Sequence, residues 1–427
     1  GHVHGLMLDN LEAVAFERDD LHREVTRTQA NHIAQTLQYD PAGRLKEQLL
    51  SYVESKSQTN PYTSPKTGVL NTRRYAYDSV GQLININDTR RGALDYQYDP
   101  IGRLLSASSA LGQELFAFDP AGNIAPVAPS TANEHPNQPH QTQSTTPNAP
   151  ALQTASPVLD NLLKDYVGTH YEYDERGNLI KRTHNGEVTT FLWDNFNRMV
   201  QSTSKEVQTH YSYDALGRRI VKHSQPIVHV PGGAGSGYLA TQKQTIARKH
   251  NLGLTLYGWE GDTLAWESSY GSRNRINETT GQIEAAFDSS QTTHYIYEPN
   301  SFVPMIQAKS TGSIELLKTP DYKAIANSEQ GYDIDQDPVW QYQPERAVKP
   351  FDAIAFYQCD HLGTPQELTD MNGEIAWAAE YKAWGLAYEA MSKAGKAAGL
   401  KQPIRFQGQY FDHETGLHYN RHRYYDP

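Results

Sequence analysis

Cysteine is nearly missing from this chain: its 427 residues include one, Cys359. A single thiol excludes an intrachain disulfide framework and any cysteine-based zinc site. Long apolar runs are missing too, and no stretch approaches the ~18–20 residues of a membrane span. The opening GHVHGLMLDN has no charged stretch followed by an apolar one, so no cleavable leader is expected. Nor is there a basic excess. Lys plus Arg is 38 against 49 for Asp plus Glu, a net charge of −11, the wrong sign for a nucleic-acid-binding surface. Hydrophobic residues make up only 37%, a poor supply for a thick core. Chemical motifs are equally scarce. There is no Gly-x-Ser-x-Gly elbow for a serine nucleophile. PGGAGSG (231–237) lacks the Gly-Lys-Ser/Thr ending of a phosphate loop and reads as a flexible hairpin tip. His2 and His4 have no third ligand nearby. His418 and His422, at strand spacing four, read as packing residues that share a face, and Cys359 as a core thiol. No catalytic, cofactor-binding or metal-binding residue is expected.

What the chain does have is tyrosine and repetition. Aromatics reach 10%, with 27 Tyr against 11 Phe, which argues against disorder. The heptapeptides YDPAGRL (39–45), YDSVGQL (77–83), YDPIGRL (98–104), FDPAGNI (118–124), YDERGNL (173–179), WDNFNRM (193–199) and YDALGRR (213–219) recur along it. Their aspartates are separated by 38, 21, 20, 55, 20 and 20 residues, so the unit is about 20 residues long. A degenerate copy at 18–25 places Asp19 another 21 residues upstream, with His22 at the glycine position. The 38-residue gap has room for one eroded copy.

The physics of one unit follows from its residues. Aromatics recur two apart ahead of the aspartate, as in Tyr75/Tyr77, Tyr96/Tyr98 and Tyr211/Tyr213, which puts each pair on one face of a strand. Asp-Pro-x-Gly then suits a type I turn, with the aspartate bonding back onto the turn backbone. The expected turn pairs are Asp40 and Gly43, Asp78 and Gly81, Asp99 and Gly102, Asp119 and Gly122, Asp174 and Gly177, and Asp214 and Gly217. An alternating run such as Leu179–Thr183 follows as a second strand. Each repeat is therefore a β-hairpin, marginal alone and stable only when stacked. Tyrosine suits such a sheet because its ring can be buried while its hydroxyl stays hydrated.

These heptapeptides resemble the YD repeats of Rhs (rearrangement hot spot) proteins, repeats shared with insecticidal toxin-complex C components and teneurins. The resemblance extends through LYGWEGDTLAWES (256–268), YIYEPNSFVPMIQ (295–307), YQCDHLGTPQELTDMNGEIAWAAEYKAWG (357–385) and IRFQGQYFDHETGLHYNRHRYYDP (404–427). It implies an all-β fold: YD-repeat hairpins wound as a spiral sheet into a hollow shell, a cocoon closed by a C-terminal core-associated block. The expected organisation is repeat wall over 1–124, an insertion over 125–158, repeat wall again over 159–350, and the C-terminal block over 351–427. The insertion has seven prolines and no Lys, Arg or aromatic residue, and reads as a flexible surface excursion. Residues 386–402, rich in Ala and Lys, suit a short helix or a loop; everything else reads as strands and turns.

The function the resemblance implies is encapsulation. The shell would house the protein's own C-terminal toxin domain until delivery, often by type VI secretion in competition between bacteria. The net acidity would suit a basic cargo. Implied partners are that cargo, a secretion-apparatus spike protein, a chaperone and an immunity protein, with no nucleic acid bound by the shell. The protein would be made in the bacterial cytoplasm and then secreted or delivered. Family members self-cleave with aspartates in motifs that follow the segment ending here at Asp426-Pro427, so this chain is not expected to be an enzyme. Three other readings remain open: a toxin-complex C component that needs a B subunit, a surface adhesin or carbohydrate-binding β-protein, and an enzyme on a β scaffold.

Overall fold

The recurring heptapeptides form hairpin turns of one construction. In the computed structural model the residues described are 2–8, 10–53, 67–125, 158–159, 162–229, 236–271, 273–276, 283–286, 290–314, 320–328, 331–341 and 350–427. At each turn the glycine N–H donates to the aspartate carbonyl, as in Gly43 to Asp40 at 2.9 Å, and the aspartate N–H donates to the carbonyl four residues on. Gly43, Gly81, Gly102, Gly122, Gly177 and Gly217 all lie at φ between 78° and 92°, where a Cβ would be strained. Asn197 and His22 take that conformation in the two copies that lack the glycine, with φ of 58° and 63°.

Each hairpin also carries a bulge. Tyr39 pairs with Leu45 but Gln38 pairs with Glu47, leaving Lys46 unopposed. The same shift isolates Ile84, Leu105, Ile180, Val200 and Ile220. The strand after the turn is therefore not the uninterrupted alternation that its sequence suggests. The extra residue re-aims the chain. It brings the residues five and eight positions after the aspartate onto one face, opposite the two aromatics. Thus Tyr75 faces Ile86, Tyr96 faces Ala107, and Tyr211 faces Lys222.

Adjacent repeats are joined through the same residues. Arg44 donates from Nε to Asp40 at 2.7 Å while its guanidinium lies 4.6 Å from the Tyr77 ring of the next repeat. Arg23 over Tyr39 and Arg103 over Phe118 repeat this contact. In four copies the aromatic before the aspartate then donates to the carbonyl five residues past the previous aspartate: Tyr39 to Glu24, Tyr77 to Leu45, Tyr98 to Leu83, and Trp193 Nε1 to Leu179, all at 2.7–2.9 Å. The tyrosine hydroxyls, expected from sequence to turn to water, thus donate to backbone. The carbonyl beside the bulge needs a donor, and the aromatic of the next repeat supplies it.

The chain divides into two units, each described by itself. The first comprises Gly1–Thr28, His32–Lys205 and Glu380–Ala387. Its strands from Gly5–Leu8 to Gly112–Leu115 pair antiparallel in strict chain order, as do those from Asp165–Tyr166 to Met199–Thr203. Leu45–Tyr52 pairs directly with Val69–Tyr77; residues 54–66 between them, where an eroded copy was expected, lie outside the described residues. Within this unit Ala383 N–H donates to Glu114 and Trp384 packs edge-on against Phe116.

The second unit comprises Gln29–Asn31, Glu206–Ala379 and Tyr388–Pro427. Strands from Val207–Tyr213 to Ile375–Tyr381 again pair with their successors, apart from the side hairpin Arg273–Ile276/Ile283–Ala286. Asp360 with Gly363 and Asp370 with Gly373 form further turns of the same construction. Asn31 donates to Thr369 at 3.0 Å and to the Asp370 carbonyl at 2.9 Å, joining residues 338 and 339 positions apart. A helix, Ser236–Lys249, stands where the sequence suggested only strands and turns. Residues 231–235 of the glycine-rich stretch lie outside the described residues, as does most of the 125–158 insertion. Lys393–Ala397 is the short helix of the Ala/Lys-rich segment.

The joint between repeats is testable at one atom. Tyr77→Phe removes the donor to Leu45 while keeping the ring beneath Arg44. We expect about 1 kcal/mol of local destabilisation, read as faster amide hydrogen exchange in strands 45–52 and 69–77.

Candidate functional site

Six repeats carry Leu, Ile or Met five residues after the aspartate: Leu45, Leu83, Leu104, Ile124, Leu179 and Met199. The Asp214 repeat carries Arg219, and its bulge at Ile220 sets Lys222 on the same face. Arg219 thus occupies a position that the six other copies fill with an apolar side chain, and Lys222 one that elsewhere holds Gln48, Ile86, Ala107, Arg182 or Ser202. Both side chains are buried, and so is the carboxylate they meet, Asp412, in the short strand Tyr410–Asp412. All of these residues belong to the second unit.

Arg219 grips Asp412 in a fork, with Nη1 at 2.5 Å and Nη2 at 3.0 Å. Lys222 Nζ reaches Asp412 at 3.1 Å and Glu414 at 3.3 Å. Four rings surround the guanidinium, those of Tyr211, Tyr257, Tyr410 and Tyr419, at 4.3–5.5 Å. The Arg219 N–H donates to the Tyr419 hydroxyl at 2.9 Å, and Trp259 Nε1 donates to the Arg219 carbonyl at 2.8 Å. Tyr211 bonds Glu414, and Tyr213 meets Tyr424 hydroxyl to hydroxyl at 3.1 Å. One layer further, Glu267 accepts from Tyr295 at 3.1 Å and from Tyr410 at 2.5 Å. Hydrogen bonds therefore connect the C-terminal strands to the faces of several successive hairpins.

The electrostatics follow from burial and pairing. Burial alone would raise the Asp412 pKa, but Arg219 and Lys222 outweigh it and hold the carboxyl below its ordinary value. Burial opposes the charge on Arg219 as well; Asp412 more than compensates and raises its pKa well above the usual one. Lys222 is likewise raised, against burial, chiefly by Glu414. Two cations thus meet two carboxylates away from solvent, and such mutual pairing fixes the geometry of the cluster. Beside it His418 bonds Gln409 at 2.8 Å, and burial, aided by the Arg405 charge, pushes its pKa down to about 4.

The twelve turn residues singled out from sequence lie elsewhere, at the hairpin turns. Asp40, Asp99 and Asp214 each bind the arginine four residues on. Asp119 and Asp174 bind an asparagine there, and Asp78 accepts from the Val80 and Gln82 N–H groups. Successive turns lie side by side: Arg103 Nη1 donates to the Asp119 carbonyl at 3.2 Å, and Asn178 donates to Asn197 of the next turn at 3.0 Å. His418 and His422 do not share a strand face: His418 is in Leu417–Asn420, whereas His422 lies in the turn that follows. His2 stacks on His22 with ring centroids 4.5 Å apart. Cys359 is buried, its thiol 3.6 Å from the Pro304 carbonyl. Among the described residues no group of three or more His, Cys, Asp or Glu could hold a metal ion. Sequence reading passed over the Arg219 cluster, although a charge at a position otherwise apolar was its signal.

Asp412→Ala should strand two buried cations and cost about 3–5 kcal/mol, measured by urea unfolding. Trypsin should also cut faster at Arg421 and Arg423. A separate expectation concerns His418. The unfolded chain takes up a proton near pH 6.5 that the folded chain refuses until about pH 4. Stability is therefore complete above pH 6.5 and falls as the pH is lowered towards 4, by roughly 3 kcal/mol. His418→Phe should flatten that part of the stability–pH curve.

The family described as RHS protein matches residues 354–390, and the RHS Repeat family matches residues 77–114 and 173–206. The chain is 31% identical to the double-stranded DNA deaminase toxin A of Burkholderia cenocepacia, over 100% of its own length and 24% of the relative's. It is 29% identical to the toxin protein Tse5 of Pseudomonas aeruginosa, over 100% of its length and 29% of that protein's. The toxin subunit YenC1 of Yersinia entomophaga is 25% identical over 96% of this chain and 43% of the subunit. The chain thus spans about a quarter of the length of the first two relatives. No described helix is long and apolar enough to cross a membrane. The repeated hairpin turns, the C-terminal segment and these matches agree, and the chain is an Rhs/YD-repeat protein.

Proposed function

We propose that this chain is wall: part of a hollow shell that encloses a toxic C-terminal region of the same protein until it is delivered to a target cell. The observation that supports this reading best is the manner of assembly. Hairpins pair in strict chain order, and several are tied to their successors by arginine–aromatic stacking and tyrosine–carbonyl hydrogen bonds, so the ladder extends without needing a thick apolar centre. Its relatives over the full length of this chain are named as toxins and are several times longer, which leaves room in them for a cargo. In this reading the Arg219–Asp412 cluster anchors the C-terminal block to the wall, and the chain contributes containment rather than chemistry. Synthesis in the cytoplasm, export by type VI secretion, a spike protein, a chaperone, an immunity protein and self-cleavage beyond Pro427 belong to the same proposal. The likeness to YenC1 favours a second reading, a toxin-complex C component completed by a B subunit.

The test is protection. The full-length protein, carrying its C-terminal region, is digested with proteinase K beside that region expressed alone. Enclosure predicts that the region survives at least tenfold longer within the intact protein, and that electron cryomicroscopy shows it inside a closed wall. Equal digestion rates, together with separate solid lobes, would overturn the proposal. Digestion rescued only by a second subunit would select the toxin-complex reading.

A further inference from the structure

Strands Pro304–Thr311 and Ala353–Cys359 pair directly, with Ile306 opposite Phe356 and Lys309 opposite Ala353. The connection between them, 312–352, is far longer than the Asp-x-x-Gly turns, and of it residues 312–314, 320–328, 331–341 and 350–352 are described. Long excursions from a regular scaffold are where binding residues concentrate. The described part of this one is ordered around a single side chain. Asp337 is buried, and its Oδ2 accepts from the Tyr322 hydroxyl at 2.9 Å and the Tyr332 hydroxyl at 2.8 Å. Its Oδ1 accepts from the Val339 N–H at 2.9 Å, and its carbonyl accepts from the Trp340 N–H at 3.0 Å. The two tyrosine rings lie 6.0 Å apart. Asp321 caps the helix Tyr322–Ala326, and Asp333 caps the turn Ile334–Gln336.

The clamp is built inside out. Its carboxylate is covered, while its large apolar groups face solvent: Trp340 is 67% exposed, Ile334 53% and Tyr332 50%, with Tyr322 and Val339 close behind. Single exposed apolar residues are ordinary; five gathered on one tethered excursion are a surface prepared for contact. Tyrosine and tryptophan dominate the energetics of protein interfaces, and a pre-fixed cluster loses little entropy on binding. The surrounding charge selects the partner. Residues 320–328 and 331–341 contain four aspartates and one lysine, 1 − 4 = −3. An arginine could stack on the Tyr and Trp faces and pair with Asp333 or Asp335, which lysine does less well.

We propose that the Tyr322–Tyr332–Trp340 cluster is a docking site for a cationic segment of a partner protein, rich in arginine and carrying large apolar side chains. The site stands whether or not the chain encloses a cargo. The probe is a fluorescein-labelled dodecapeptide of alternating Arg and Leu, titrated into the intact chain and followed by fluorescence anisotropy. Two control peptides replace Arg by Glu, or Leu by Ser. The Arg-Leu peptide should bind, both controls should bind at least tenfold more weakly, and Trp340→Ala should weaken binding at least tenfold. Asp333→Asn with Asp335→Asn keeps the turn cap and should weaken binding severalfold at low salt, with the difference closing at high salt. An affinity unchanged by Trp340→Ala, or equal binding of the Glu peptide, would overturn the proposal. So would saturable binding of maltohexaose lost in Trp340→Ala, or a concentration-dependent dimer in sedimentation abolished by the same change; these would assign the cluster to a carbohydrate or a second copy. Because Trp340 is exposed and Asp333→Asn retains its acceptor, unchanged circular dichroism separates loss of binding from loss of fold.

Discussion

The joint between successive hairpins is the contact on which the regular parts of this protein depend; at Arg23, Arg44 and Arg103 it is a guanidinium held between the aspartate of its own turn and the aromatic ring of the following hairpin. Arg44 illustrates the logic: Asp40 fixes its direction, and its planar face covers Tyr77. The tyrosine hydroxyl then reaches back to the Leu45 carbonyl, closing a loop of contacts across the hairpin boundary. Each part is worth little, on the order of 1 kcal/mol for the hydrogen bond and less for an exposed ion pair. Stability arises from repetition between neighbours, as in other repeat proteins, and a low apolar fraction is no obstacle to it.

The bulge is the second constraint. Without it, residues five and eight positions past the aspartate would fall on opposite faces, and Leu45 could not share a side with Gln48. With it, each hairpin presents four side chains to one side. In most copies these are tyrosine, leucine and small or amide residues. In the Asp214 copy the same geometry presents Tyr211, Tyr213, Arg219 and Lys222, and the face becomes a socket for Asp412 and Glu414. One backbone pattern thus serves both as packing surface and as a buried ionic anchor, and two substitutions separate the roles. Replacing a packing residue by a buried charge is tolerable only because the opposite charge arrives from the C-terminal strands.

Departures from the repeat fall where the chain leaves the ladder. The helix Ser236–Lys249 interrupts the return between Arg219–Pro226 and Gly253–Glu260, and the Asp337 excursion interrupts another. Neither disturbs the pairing beneath it: Val221 still faces Leu256, and Ile306 still faces Phe356. A ladder whose register is set by turn and bulge can carry insertions at its edge without cost to its interior.

Much of this was legible in the amino-acid order. The period of about 20 residues, the aromatic pairs and the Asp-Pro-x-Gly turns determined an all-β hairpin array, because turn chemistry and period-two alternation are local properties. His22 and Asn197 could be placed in glycine positions for the same reason. The bulges were not legible, since an extra residue leaves no mark on composition and Leu179–Thr183 reads as plain alternation. Nor was the fate of the tyrosine hydroxyls, which depends on carbonyls in the preceding repeat. The meeting of Arg219 with Asp412, 193 positions apart, and of Asn31 with Thr369, belongs to tertiary structure alone. Local order determines how each hairpin turns; which distant carboxylate neutralises a buried cation is decided only when the strands bearing both have packed.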